Sequence, residues 1–110
     1  MKVKDFSEKL NFTVLTGEIS LDKEISGMYV CDLLSWVMSH ANKGNAWITV
    51  LTHLNTVAVA LLTEISCIIV PESILVEEAT IKKAQQEGIV ILSTKLTTYE
   101  ICSKSHELGI

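Results

Sequence analysis

The sequence predicts an α/β fold, three layers deep as α/β/α, around a mainly parallel central sheet of about five strands. Three observations point there. In the second half, short apolar runs alternate with helix-length segments, the rhythm of βαβ units with right-handed crossovers. Two of the runs, residues 66–70 and 89–92, are almost wholly apolar, as strands covered on both faces are. The composition is 48% hydrophobic, with one Pro and five Gly, and the mean hydropathy is +0.37. Such a chain leaves little room for disordered tracts and asks for cover on nearly every face. Its 110 residues fit one domain, residues 1–110, with a core that needs neither disulfide nor metal.

Each element has its own local reason. Residues 2–10 carry Val3, Phe6 and Leu10 on one side of a short helix. Residues 13–16 read as a strand ended by Gly17, and residues 21–24 as a turn. Residues 25–31 form the next strand, with Gly27 marking a bulge or a close approach. Asp32 is placed to cap the following helix, since its carboxylate can accept from the free amides of a first turn. Leu33, Leu34, Val37 and Met38 give that helix its stripe up to about Ala41, and residues 42–45 are a turn. Residues 46–51 are a third strand, with Thr52 as the next cap. The helix expected over residues 55–65 is apolar on every side and rich in β-branched residues, so it is the hardest to place. Pro71 stops the strand at residues 66–70. Residues 77–87 form a charged amphipathic helix ended by Gly88. After the strand at 89–92, Thr97 and Glu100 have the spacing of a capping box and open a helix to about Leu108.

The charge narrows the function. The net charge is −4, and all nine basic residues are Lys. Without Arg the chain lacks the bidentate fork used on phosphate and guanine. That speaks against a nucleic-acid partner and against arginine-assisted phosphoryl transfer. No apolar run reaches about 18 residues, so no membrane span is expected. Residues 1–10 are charged and lack a signal core. The three cysteines form no Cys-x-x-Cys and read as reduced, mostly buried thiols. A cytoplasmic protein is expected. His40, His53 and His106 share no metal-ligand spacing, and no phosphate loop, nucleophile elbow or dinucleotide fingerprint is present. No metal, no cofactor and no enzymatic activity are therefore expected. The alternatives are a small-molecule enzyme with His53 as general base and a structural adaptor of a metabolic complex. Cys67 and Cys102 read as core thiols rather than nucleophiles paired with His53.

In open α/β sheets, ligands sit beyond the carboxyl ends of the strands. Four such ends carry Asp32; Thr52, His53 and Asn55; Pro71, Glu72 and Ser73; and Ser93, Thr94 and Lys95. Together with helix N-termini at Asp32, Thr52 and Thr97, they are expected to converge on a polar pocket for a small anionic or nucleotide-like ligand. The plainer alternative is that these are caps and solvated loop residues. Residues 55–62 carry no charge. With Trp36 and Met38 on a neighbouring helix, Val57, Val59 and Leu62 are expected to build a homodimer interface.

The run Trp47-Ile48-Thr49-Val50 and its continuation to Val57, the run Cys67-Ile68-Ile69-Val70-Pro71-Glu72, and Leu92-Ser93-Thr94 with Thr97-Thr98-Tyr99-Glu100 resemble the DRTGG domain. The stretch Ile25-Ser26-Gly27-Met28-Tyr29-Val30-Cys31-Asp32 looks like that family's segment before its first long helix. The similarity covers about residues 12–108. His53, Leu54 and Asn55 stand about where the family's Asp-Arg run falls, and Pro71-Glu72 stands in place of its Gly-Gly. The domain is a regulatory piece of some bacterial phosphotransacetylases and inorganic pyrophosphatases. A related module is the N-terminal domain of HPr kinase/phosphorylase, whose kinase domain has no counterpart here. The resemblance implies an α/β/α-layered dimerisation or regulatory module, with a protein partner in energy metabolism.

Overall fold

Apolar runs that must avoid water on both sides end up in the middle of a sheet, and half-polar ones at its edges. The computed structural model, which describes residues 1–110, obeys this rule. In chain order it runs α1 (Val3–Lys9), β1 (Thr13–Val14), β2 (Gly27–Val30), α2 (Leu34–His40), β3 (Asn45–Ile48), α3 (Leu54–Leu62), β4 (Cys67–Val70), α4 (Glu78–Glu87), β5 (Ile91–Ser93) and α5 (Thr98–Glu107). The sheet order is β1-β5-β4-β3-β2. The fully buried β3 and β4 lie inside, and the partly exposed β1 and β2 form the edges. Strands β2 to β5 are parallel, with Met28 opposite Ala46 and Ile69 opposite Leu92. Only β1 is antiparallel, placing Thr13 opposite Ser93.

Side chains alternate across a strand, so the sheet builds two cores. Ala46, Ile48, Cys67, Ile69 and Leu92 meet Val3 and Phe6 of α1 and Ile101 of α5. On the other face Trp47, Ile68, Val70 and Ile91 meet Val37 of α2, Val57, Val59 and Ala60 of α3, and Ala84 of α4. The result is the expected α/β/α sandwich. The Trp47 indole Nε1 donates to the Cys31 carbonyl at 2.9 Å, so its polar atom is paired although the side chain is fully buried. Burial pushes the Cys67 thiol up to about 12, against a small opposing pull from Lys23. It stays neutral and unreactive in the core.

Several local expectations are corrected. Asp32 does not cap α2. That helix starts at Leu34 after an N-cap Leu33 with no side-chain bond. The Asp32 carboxylate turns instead to the end of β3 and accepts from Thr49 Oγ1 at 2.8 Å and from the Val50 amide at 2.9 Å. The Thr49 amide still bonds to the Ile69 carbonyl, so Asp32 answers the next amide, that of Val50, and the Thr49 hydroxyl. Thr52 is not a cap either, because α3 begins one residue later, with His53 at its N-cap and no side-chain bond there. Gly27 marks no bulge: it pairs regularly with Asn45, and a Cβ there would make ordinary contact. The α3 segment is helical despite its β-branched residues, because packing on the sheet outweighs propensity. That packing also corrects the interface expectation. Val57 and Val59 are 0% and 5% exposed and belong to the core. The residues that α3 turns outward are Leu54, Asn55, Ala58, Leu61 and Leu62.

Candidate functional site

The helices α2, α3 and α4 all pack on one face. The three crossovers therefore return the chain to the same edge each time, and the carboxyl ends of β2 to β5 share one rim. Because β1 is antiparallel, its first residue lies beside the last residue of β5. The α1–β1 connection is thereby brought to the same rim.

The rim has two unlike ends. At the β2/β3 end, Asp32 holds Thr49 and Val50, and Thr49 Oγ1 in turn accepts from the Leu51 amide at 3.2 Å. His53 and Asn55 are exposed beside this knot and Thr52 is half-buried. None of Asp32, Thr52, His53 and Asn55 lines the cleft at the other end of the rim or the clefts of about 420, 410 and 500 Å³ elsewhere on the chain. No group of three or more His, Cys, Asp and Glu side chains is placed to hold a metal ion.

The β4/β5 end opens into a cleft of about 760 Å³. Pro71 ends β4, and the next two residues are left-handed, Glu72 at φ 57° and Ser73 at φ 55°. This conformation is uncommon for residues with a Cβ. It persists here because their amides donate to the Leu96 and Thr94 carbonyls, each at 2.9 Å. The β4–α4 loop is thus fastened to the β5–α5 loop, and the cleft lies along the seam. Of the residues named at these two strand ends, Ser73, Ser93, Thr94 and Lys95 line it, and Glu72 stays in the supporting loop without lining it. Lys9 from the end of α1, Asn11, Thr13 and Lys104 from α5 complete the polar lining. Lys9, Lys95 and Lys104 form no ion pair, whereas Lys43, Lys82 and Lys83 each bind a glutamate. The lining contains no Asp, Glu, His or Cys.

The α5 N-terminus does not add an anion site. The capping box is formed: Glu100 Oε1 accepts from the Thr97 amide at 3.0 Å and from Thr97 Oγ1 at 3.1 Å, and the Glu100 amide donates to Thr97 Oγ1 at 3.2 Å. These bonds, that of the amide first, hold the Glu100 carboxyl below its ordinary range. A carboxylate already sits where the helix dipole would draw an anion. The positive character of the cleft therefore comes from its lysines. Lys9 and Lys104 escape sequence reasoning because they are distant in the chain, and only the antiparallel docking of β1 on β5 brings them near Lys95. The antiparallel pairing of residues 13–14 with β5 is the feature that places them there.

These features define a small three-layer α/β module with a lysine-lined cleft at the strand ends. A family model for the DRTGG domain matches residues 5–108, and the chain belongs to that family. Among solved structures, the CBS and DRTGG domains of the regulatory region of Clostridium perfringens pyrophosphatase, complexed with the activator diadenosine tetraphosphate, are similar in fold. The TM-score is 0.69 at 13% sequence identity, covering 91% of this chain and 44% of that one. The chain thus spans less than half the length of that structure. No curated protein matches the sequence.

Proposed function

We propose that this chain is a non-enzymatic regulatory module, one unit over residues 1–110, which senses a small anionic or nucleotide-like ligand in the β4/β5 cleft and works as a homodimer. One observation carries the reading. A chain of net charge −4 gathers Lys9, Lys95 and Lys104 around a single cleft and keeps every carboxylate out of its lining. Concave walls concentrate the field of such charges on an anion, and the volume lies within the range of small-molecule sites. The expected ligand set narrows to Ser73, Ser93, Thr94 and Lys95, joined by Lys9 and Lys104. A lining without His, Cys, Asp or Glu offers little for acid–base or nucleophilic chemistry. The similar regulatory region carries a nucleotide activator, which supports a sensing role.

The dimer rests on the outward stripe of α3. Leu54, Ala58, Leu61 and Leu62 recur at the spacing of one helix face and carry no charge, and Leu62 is 69% exposed. Small Ala58 lets a second helix approach closely, and Trp36 and Met38 are exposed on α2. The free thiols fit a cytoplasmic setting, and the family resemblance favours a protein partner in energy metabolism.

Thermal shift with millimolar phosphate, pyrophosphate and ATP tests the sensing role, because a ligand that binds only the native state raises Tm. A rise is expected, and Lys95→Glu with Lys104→Glu should weaken binding at least roughly tenfold. No rise with any of them refutes it. Light scattering tests the dimer. A mass of 12.1 kDa for the native chain refutes it, and Leu62→Glu should turn a dimer into monomers.

A further inference from the structure

Resting on that reading, we infer that the cleft is built for a two-part ligand, a nucleoside polyphosphate whose phosphates face the lysines and whose base lies on an aliphatic wall. The two sides of the cleft come from different layers of the fold. Lys9 and Lys104 belong to α1 and α5, which pack on one face of the sheet, and Lys95 stands in the loop leading into α5. Ile74, Leu75, Val76 and Ile81 belong to α4 and the loop before it, on the other face. Ser73, Ser93 and Thr94 come from the seam that joins the two loops. The three lysines are thus gathered on one side, beside Leu10 and Leu96, while the other side is aliphatic and uncharged and hydroxyls lie at the join.

The aliphatic side carries an independent sign. Leu75 is 91% exposed and packs on neither core, whereas its neighbours Ile74 and Val76 pack against the second core. The loop presenting it is held in shape by two left-handed residues, each bonded across the seam. Strained backbone that the surroundings over-determine tends to gather at ligand sites. A leucine displayed from such a loop is a platform for an apolar surface. A bare phosphate or polyphosphate would leave it wet.

Two consequences follow. The α4 wall has no polar side chain among Ile74, Leu75, Val76 and Ile81, so it cannot read the hydrogen-bonding edge of a base. Adenine and guanine nucleotides should bind within about threefold of each other. The lining has no carboxylate to hold a divalent cation, and its lysines serve as the counter-charges. Magnesium, by neutralising the phosphates, should weaken binding rather than support it.

Isothermal titration of the full chain tests this, using ATP, GTP, inorganic tripolyphosphate and adenosine, with EDTA and then with excess magnesium. ATP in EDTA should bind at least roughly fivefold tighter than tripolyphosphate, with adenosine undetected at millimolar concentration. Leu75→Ser should lower ATP affinity by roughly three- to tenfold and leave tripolyphosphate unchanged. Because Leu75 is exposed, this variant keeps its fold. Lys104→Glu should weaken both anions. Equal affinity for ATP and tripolyphosphate, or ATP binding indifferent to Leu75→Ser, overturns the two-part ligand and leaves anion sensing standing. Absence of binding by both anions overturns the two together.

Discussion

The two ends of the rim occupy equivalent places in the topology, yet they treat their polar groups in opposite ways. At the β2/β3 end, Asp32, Thr49, Val50 and Leu51 bond one another. At the β4/β5 end, Lys9, Lys95 and Lys104 form no ion pair, and the backbone of the loop is left-handed at Glu72 and Ser73. A charged residue at a strand end is therefore no sign of a site by itself. What separates structure from availability is whether the chain already answers the charge.

Breaking the knot at the first end should have the largest effect on stability. Asp32→Ala leaves the Thr49 hydroxyl, on a residue that is 1% exposed, and the Val50 amide without their acceptor. The loss should be about 1–2 kcal/mol, a fall in Tm of roughly 4–10 °C for a domain of this size. Anion affinity should not change. Lys95→Glu should show the reverse pattern, with Tm nearly constant and binding reduced. Thermal melts and titrations on the two variants decide it, and a matched loss of both properties in Asp32→Ala would erase the distinction between the two ends.

The second end should respond in the opposite direction when its strain is removed. Glycine adopts the left-handed region without the Cβ penalty. Glu72→Gly or Ser73→Gly should therefore raise stability by up to about 1 kcal/mol. Glu72 has no side-chain hydrogen bond or ion pair to lose. A lower Tm in Glu72→Gly would show that the loop is not strained and would remove one support for the cleft.

The same contrast explains what was legible in the sequence. Runs of apolar residues located the strands, and Thr97 with Glu100 located the start of α5, because both signals act within a few residues. The Asp32 bonds reach 17 and 18 residues along the chain, where a local capping rule has no information. The inward turn of Val57 and Val59 was hidden for another reason. A helix with no charge and only Asn55 and Thr56 as polar residues gives little phase, so the sheet it packs on decides which side is out. Lys9 and Lys104 were hidden by topology, since they meet Lys95 only through the reversed direction of β1. Of the ten residues named at the strand ends, four, Ser73, Ser93, Thr94 and Lys95, line the cleft, and the strand-end rule alone named them.

The smallest expected effect joins stability to the cleft. Glu100 is fully exposed, and its carboxyl is held below its ordinary value of 4.5 by the Thr97 amide, then by the Thr97 hydroxyl, with Lys104 adding attraction. A carboxyl lowered in the folded state stabilises above its unfolded value and loses that contribution as pH falls through the folded one. Glu100→Gln keeps an acceptor for Thr97 but cannot titrate. The wild type should be slightly more stable than this variant at pH 7, and the gap should close as pH falls below the ordinary value of 4.5. A gap that stays constant with pH would mean that the charge does nothing at the helix start. Lys104 lines the cleft, so the two sites are linked. Removing the Glu100 charge should tighten anion binding modestly. By reciprocity, a bound anion near Lys104 should raise the Glu100 carboxyl back toward its ordinary value. Titration of Glu100 by NMR, with and without pyrophosphate, measures that shift directly, and an unmoved carboxyl under saturating pyrophosphate would place the anion away from Lys104.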